Sequence, residues 1–215
     1  MKKIVGMLLV FVMALSLTAP SGVQAASAKT RVKRLVANMS SYEFYLIMDM
    51  GLRPDEGYEI VLDAEHKAQA AALAVSLAKA PVVESDENGL WSVYGITSSQ
   101  MKKMTKKLFG KAVSYKKLPK SSPDKISDFL FAFRNSKGKP MIYCWEAETE
   151  TDFVNRSVTI SKSGNGYIVT KMIYCGYWGG NDGRTSNYVV TYKTAKSKTS
   201  AYGFEINYMH VKRLQ

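Results

Sequence analysis

From Ile126 to Val211 the chain alternates strand-like runs with turn-forming pieces that are too short to carry it back across a sheet. The runs are Ile126–Arg134, Met141–Glu148, Val154–Ile160, Tyr167–Trp178, Tyr188–Lys193 and Gly203–Val211. Between them lie Asn135–Lys139, Ser163–Gly166, Gly179–Gly183 and Lys196–Lys198, all rich in Gly, Asn, Ser or Lys. A parallel neighbour needs a crossover of about a dozen residues or more, so successive strands must pair antiparallel. The pattern therefore predicts a long, curved antiparallel meander.

Helices are expected before it. Tyr58 to Lys79 is rich in alanine and leucine, and Ile60, Ala64, Ala68, Ala71, Val75 and Ala78 recur at three- and four-residue spacings before Pro81. That predicts one core helix packed on a flat partner. Tyr42 to Met50 is apolar on nearly every side, and period alone does not separate helix from strand; helix is preferred, ended by Gly51 and Pro54. Asp86-Glu87-Asn88-Gly89 predicts a tight hairpin between Pro81–Val83 and Leu90–Ile96. Thr97-Ser98-Ser99 offers cap oxygens to a helix from Gln100 to Phe109, closed by Gly110. Its wet face carries Lys102, Lys103, Lys106 and Lys107, a candidate anion patch weighed against an ordinary solvated helix face. The expected fold is α+β: N-terminal helices packed on the concave side of a curved antiparallel meander, in a single domain over residues 35–215. A lipocalin-like β-barrel is the alternative, and the helical residues before the strands count against it.

This order of helices, hairpin, helix and bent antiparallel sheet resembles the nuclear-transport-factor-like, or SnoaL-like, α+β cone. Tyr94-Gly95-Ile96-Thr97 leading into a Lys-rich helix that ends Leu108-Phe109-Gly110-Lys111 is similar to uncharacterised exported proteins of Gram-positive bacteria. The cone resemblance implies a pocket at the open end lined by aromatic side chains. The candidates are Phe129, Phe131, Tyr143, Trp145, Tyr174 and Trp178, and a small apolar or sugar ligand would suit them. Such cones carry enzymes, binding proteins and inert modules alike, so the resemblance fixes no activity.

Lys2 and Lys3 precede an apolar run from Ile4 to Leu17, and small residues follow at Val23-Gln24-Ala25 and Ala26-Ser27-Ala28. The run is shorter than the roughly 20 residues needed to span hydrocarbon. Residues 1–25 are therefore read as a signal peptide cut after Ala25 or Ala28, with residues 26–34 as a flexible basic lead-in and no transmembrane anchor after cleavage. The formal charge is +12, and loss of Lys2 and Lys3 leaves +10. That excess favours anionic partners; outside a cell these are anionic cell-wall polymers, lipid head groups or acidic proteins, and no nucleic acid is expected.

Chemistry is sparse. Glu146, Glu148 and Glu150 alternate along one strand, with Asp152 in step, so their side chains share a face about 6 to 7 Å apart. That spacing suits paired-carboxylate hydrolysis or a hard cation, and it equally suits a strand with one wet face whose carboxylates pair with lysines. His66 follows Asp63 by three positions, which points to pairing or capping on a helix, since no Gly-x-Ser-x-Gly elbow completes a triad. No phosphate loop, dinucleotide fingerprint or His-Glu-x-x-His occurs, and no cofactor is expected.

The only two cysteines sit in two copies of Met-Ile-Tyr-Cys, at Met141–Cys144 and Met172–Cys175, whose flanks differ too much for a duplicated unit. In one meander the strand Val154–Ile160 lies between them, placing them about 10 Å apart laterally. A disulfide requires Cα atoms within about 7 Å, so free buried thiols are expected. Two thiols with the distant His210 do not make a metal site. The function read from these features is an exported, non-catalytic binding or envelope-associated module. The alternative is a small hydrolase or isomerase using Glu146 and Glu148 in the cone pocket.

Overall fold

The computed structural model describes residues 26–50, 58–76, 80–126, 130–145, 151–177 and 184–214. It is an α+β fold with two antiparallel sheets, neither closed into a barrel, so the lipocalin-like alternative does not hold. The strands are β1 (Tyr58–Ile60), β2 (Val82–Ser85), β3 (Trp91–Gly95), β4 (Leu130–Arg134), β5 (Pro140–Trp145), β6 (Thr151–Ser163), β7 (Gly166–Tyr177), β8 (Arg184–Lys196) and β9 (Phe204–Leu214). The larger sheet has the order β1-β9-β8-β7-β6, and the smaller β2-β3-β5-β4.

The meander expected from Ile126 to Val211 is thus divided. Its last four strands run as predicted, but β5 has both edges occupied by β3 and β4 and cannot pair with β6. Cys144 and Cys175 consequently lie in different sheets, both buried and neither in a disulfide. That no disulfide joins them was expected; what separates them is a change of sheet, not an intervening strand.

Among the described residues, four α-helices precede or interrupt the strands: α1 (Ala28–Ala37), α2 (Ser40–Met50), α3 (Ala64–Leu73) and α4 (Ser98–Phe109). Helix α1 replaces the expected flexible lead-in of residues 26–34. Lys29, Lys33 and Arg34 stay at the surface and Arg31 is half-buried, while Val32, Leu35, Val36 and then Met39 bury completely or nearly so, a three-four stripe inside a basic segment. Helix α2 continues that stripe through Tyr42, Glu43, Leu46 and Ile47. The single helix expected from Tyr58 to Lys79 is instead a strand and a shorter helix, because Tyr58–Ile60 pairs with Met209–Val211 of β9. Asp63 then opens α3, its carboxylate accepting from the His66 backbone N–H at 2.8 Å and meeting the His66 ring Nδ1 at 2.9 Å. Helix α4 matches its signals: Thr97 and Gln100 form a reciprocal capping box, and Gly110 closes the helix at φ 68°.

One apolar core runs through both sheets and all four helices. It joins Ile142 and Cys144 of the small sheet to Val169, Ile173, Val190 and Met209 of the large one. The buried Gln69 of α3 stitches the small sheet in: its amide donates to the Ala132 carbonyl at 2.7 Å and accepts from the Ala132 N–H at 3.1 Å. That pair of bonds copies what a neighbouring strand would offer, and so satisfies the free edge of β4.

Alternation assigns the faces of the large sheet. Val169, Lys171, Ile173 and Cys175 of β7 point into the core, so Ile168, Thr170, Met172 and Tyr174 point away. Cross-strand register places Lys193, Thr191 and Val189 beside them, then Tyr208, His210 and Lys212.

Candidate functional site

At the turn end of the large sheet, three elements from distant parts of the sequence form a groove of about 370 Å³. Ser27 caps α1, accepting from the Thr30 N–H at 3.2 Å, which fixes the first turn and brings Arg31 over Phe204 of β9. The guanidinium carbon lies 5.5 Å from that ring's centre. Gly203, at φ 71°, makes room for it: a Cβ there would stand 2.9 Å from an Arg31 terminal nitrogen. The second wall is the two-residue turn Gly164-Asn165 joining β6 to β7, with Lys162 just before it. Gly166 follows because the strands close tightly here, where a Cβ would fall 1.6 Å from the Thr194 carbonyl oxygen. The third wall is the end of β8, with Lys196. Tyr167 and Phe204, edge to face at 5.5 Å, provide an aromatic floor.

The groove is electropositive by construction. Arg31, Lys162 and Lys196 line it, Asn165 adds an amide, and no acidic residue is among those that line it. Arg31 also carries a buried Nε with no hydrogen-bond partner, a donor left over at the wall of a cationic groove. Cations at this density without carboxylates suit an anion and offer no general base.

A second polar cluster is wholly internal. Lys171 of β7 donates to both oxygens of Glu43 of α2, at 2.6 and 2.5 Å, and the Tyr192 hydroxyl of β8 donates to one of them. The three residues are 3%, 0% and 0% exposed. Burial, then the adjacent Glu43 carboxylate, raises the Tyr192 phenol well above its ordinary value. None of the three lines the groove, so this cluster ties α2 to the sheet and meets no ligand there.

The candidates read from sequence are dispersed. Lys102, Lys103 and Lys106 are exposed on α4, whereas Lys107 turns inward, donating to Asn38 Oδ1 at 3.1 Å and lying 5.3 Å over the Tyr202 ring. Phe131, Tyr143 and Trp145 do come together, packed with Val93, Phe133, Met141 and Trp91 as a separate apolar cluster on the small sheet's face away from the main core. Tyr174 lies on the other sheet, beneath Arg156 at 4.5 Å. Phe129, Trp178, Glu146 and Glu148 lie outside the described residues, as do Glu150 and the loop Gly179–Gly183; Asp152 is exposed on β6. Asp63 and His66 make a helix cap. Among the described residues no group of three or more His, Cys, Asp or Glu is placed to hold a metal ion.

Sequence reading missed Arg31, Lys162 and Lys196 because nothing local links them. Only the turn Ser163–Gly166 with Lys162 beside it was visible, and its partners arrive through β8, β9 and α1. No protein-family model, curated protein or solved structure matches the chain.

Proposed function

We propose that the chain is an exported, non-catalytic binding module of the cell envelope that holds an anionic polymer, with the cationic groove as its primary contact. The observation that carries this reading is the convergence of Arg31, Lys162 and Lys196 over an aromatic floor with no carboxylate among the lining residues. The unpartnered Arg31 Nε and the formal charge of +12 support it, and the basic, apolar start of the sequence supports export. A sheet with helices on one face supports the cone-like α+β resemblance as its scaffold. No helix among the described residues is long and apolar enough to cross a membrane.

The test is retention on cell-wall preparations across a salt series, with wild type beside Arg31→Ala and Lys196→Ala. Binding should fall steadily as salt rises, because exposed charges are screened within about 8 to 10 Å at ordinary ionic strength. Each variant should lose several-fold in retention. Salt-independent retention, or retention untouched by both variants, would refute the groove as the contact.

A further inference from the structure

The large sheet ends on β6, which has β7 on one side and no strand on the other among the described residues. The remaining sheet edges are short or filled. Strand β1 has 3 residues, β2 has 4 and a register shift, and Gln69 occupies the edge of β4. Strand β6 is interrupted once, between Asn155 and Ser157, so Ser157–Ser163 is an unbroken edge leading to the Gly164-Asn165 turn. Ser157, Thr159, Ser161, Lys162 and Ser163 are exposed there, and Val158 and Ile160 are half-buried. An edge of that length is a template for another strand.

Backbone direction fixes which groups it offers. Tyr167 turns its N–H and its carbonyl toward β8, where the N–H donates to the Thr194 hydroxyl at 3.1 Å and the carbonyl accepts from it at 3.2 Å. Lys162, the β6 residue opposite Tyr167, therefore turns its own N–H and carbonyl away from β7. Alternation extends this to Ile160 and Val158. All three present both backbone groups to whatever lies beside the sheet.

These groups match a second β6. A two-fold axis at Ile160 sets the second copy antiparallel, with Ile160 opposite Ile160, Val158 opposite Lys162, and Thr159 opposite Ser161. Every outward-facing residue then meets another, giving about six hydrogen bonds between the chains. No like charges stand opposite each other, and Thr159 with Ser161 makes a hydroxyl pair. Neighbouring registers are poorer. An axis at Thr159 sets Lys162 against the second copy's Arg156 and runs the ladder into the register shift, while an axis at Ser161 shortens it to Thr159–Ser163.

We propose that the protein is a two-fold dimer joined edge to edge through Ser157–Ser163 of β6, so that two five-stranded sheets become one. The axis is perpendicular to the sheet and leaves both cationic grooves on the same face. The pairing itself does not rest on the groove reading.

Sedimentation equilibrium across a concentration series tests it, with circular dichroism and thermal melts confirming that each variant folds. Wild type should be a concentration-dependent dimer that tightens as salt rises, because two chains of formal charge +12 repel. Ile160→Pro removes an N–H that faces out of the sheet, a change an edge strand tolerates, and should leave a monomer. Thr159→Lys with Ser161→Lys places like charges opposite each other twice and should weaken association about tenfold or more; it decides the matter if the proline variant does not fold. Cysteines read the register. Thr159→Cys and Ser161→Cys fall opposite each other with Cα atoms about 4.5 Å apart, within disulfide reach. Mixed under mild oxidation, these two variants should cross-link far more than either does alone, and the buried Cys144 and Cys175 give the same background in every sample. A wild type that stays monomeric at every concentration overturns the proposal. So does a dimer that the folded variants leave intact, or cross-linking no greater in the mixture than in the separate variants.

Discussion

Glu43 is a carboxylate with no exposed surface, and what makes that tolerable is Lys171 and Tyr192, which fill its oxygens from two adjacent strands. Removing the lysine alone leaves an unpaired charge in the core, so Lys171→Met should destabilise by about 3 to 5 kcal/mol in urea titration. Replacing all three polar groups together (Glu43→Leu, Lys171→Met, Tyr192→Phe) should recover most of that loss, since the desolvation penalty goes with them. A triple variant as unstable as the single one would mean that the cluster is net stabilising. Cys175 is a different case of burial: its thiol is pushed up to about 11, first by burial and then by the negative charge of Asp152. The thiolate is the reactive form, so in native protein at pH 8 the Cys175 thiol should resist a thiol reagent, and both thiols should react after denaturation. A signal for the buried pair did exist in the sequence. Glu43 and Lys171 are lone opposite charges inside otherwise apolar runs, but nothing local says that the two runs face each other.

Caps and edges decide where the elements begin, and they were legible to different degrees. Thr97, Gln100 and Gly110 announced α4 because a cap is a local contract between residues three apart. Residues 58–79 misled because their helical stripe is real over Ala68 and Ala71, while Ile60 answers to Met209 some 149 positions on. In α1 the stripe Val32, Leu35, Val36 was present but hidden among lysines and arginines. Asp63→Ala should cost about 1 kcal/mol, the usual worth of such a cap. The Asp63 carboxyl is held below its ordinary value chiefly by the His66 backbone N–H. Its folded pKa is therefore lower than its unfolded one, so the cap's stabilisation is complete above about pH 4 and disappears as pH falls through the lower folded value. The wild-type minus Asp63→Ala stability difference, followed by urea titration from pH 6 to pH 2.5, should shrink only in the acid limb. Gln69→Leu is the corresponding edge variant: it strips both bonds from Ala132, leaves the buried backbone groups of β4 unsatisfied, and should cost about 2 to 3 kcal/mol.

At the scale of the molecule, the six strands from β4 to β9 and the antiparallel sense of successive ones were written in the short turns, but β1 and the partition into two sheets were not. It depends on β3 meeting β5 across the whole of α4 and the loop that follows, a pairing between Trp91 and Trp145 that no turn dictates. The same non-local logic placed the groove, whose cations come from α1, β6 and β8. Two sheets could in principle unfold separately. Here they should not, because Ile142 and Cys144 from the small sheet share one core with Val169, Ile173 and Val190 from the large one, and Gln69 bonds the small sheet's edge to a helix of that core. Trp91 and Trp145 sit in the small sheet and report on it by fluorescence, once Trp178→Phe removes the third tryptophan. Far-ultraviolet circular dichroism reports mainly on the long strands β6 to β9 and the helices. The two signals should trace one urea transition with a common midpoint, as a single cooperative unit requires. If the fluorescence midpoint came first, the small sheet would be a separable layer and the shared core too thin to bind it. Gln69→Leu should then be the variant that pulls the two transitions apart, because it cuts the bonds joining α3 to β4 while leaving the large sheet intact.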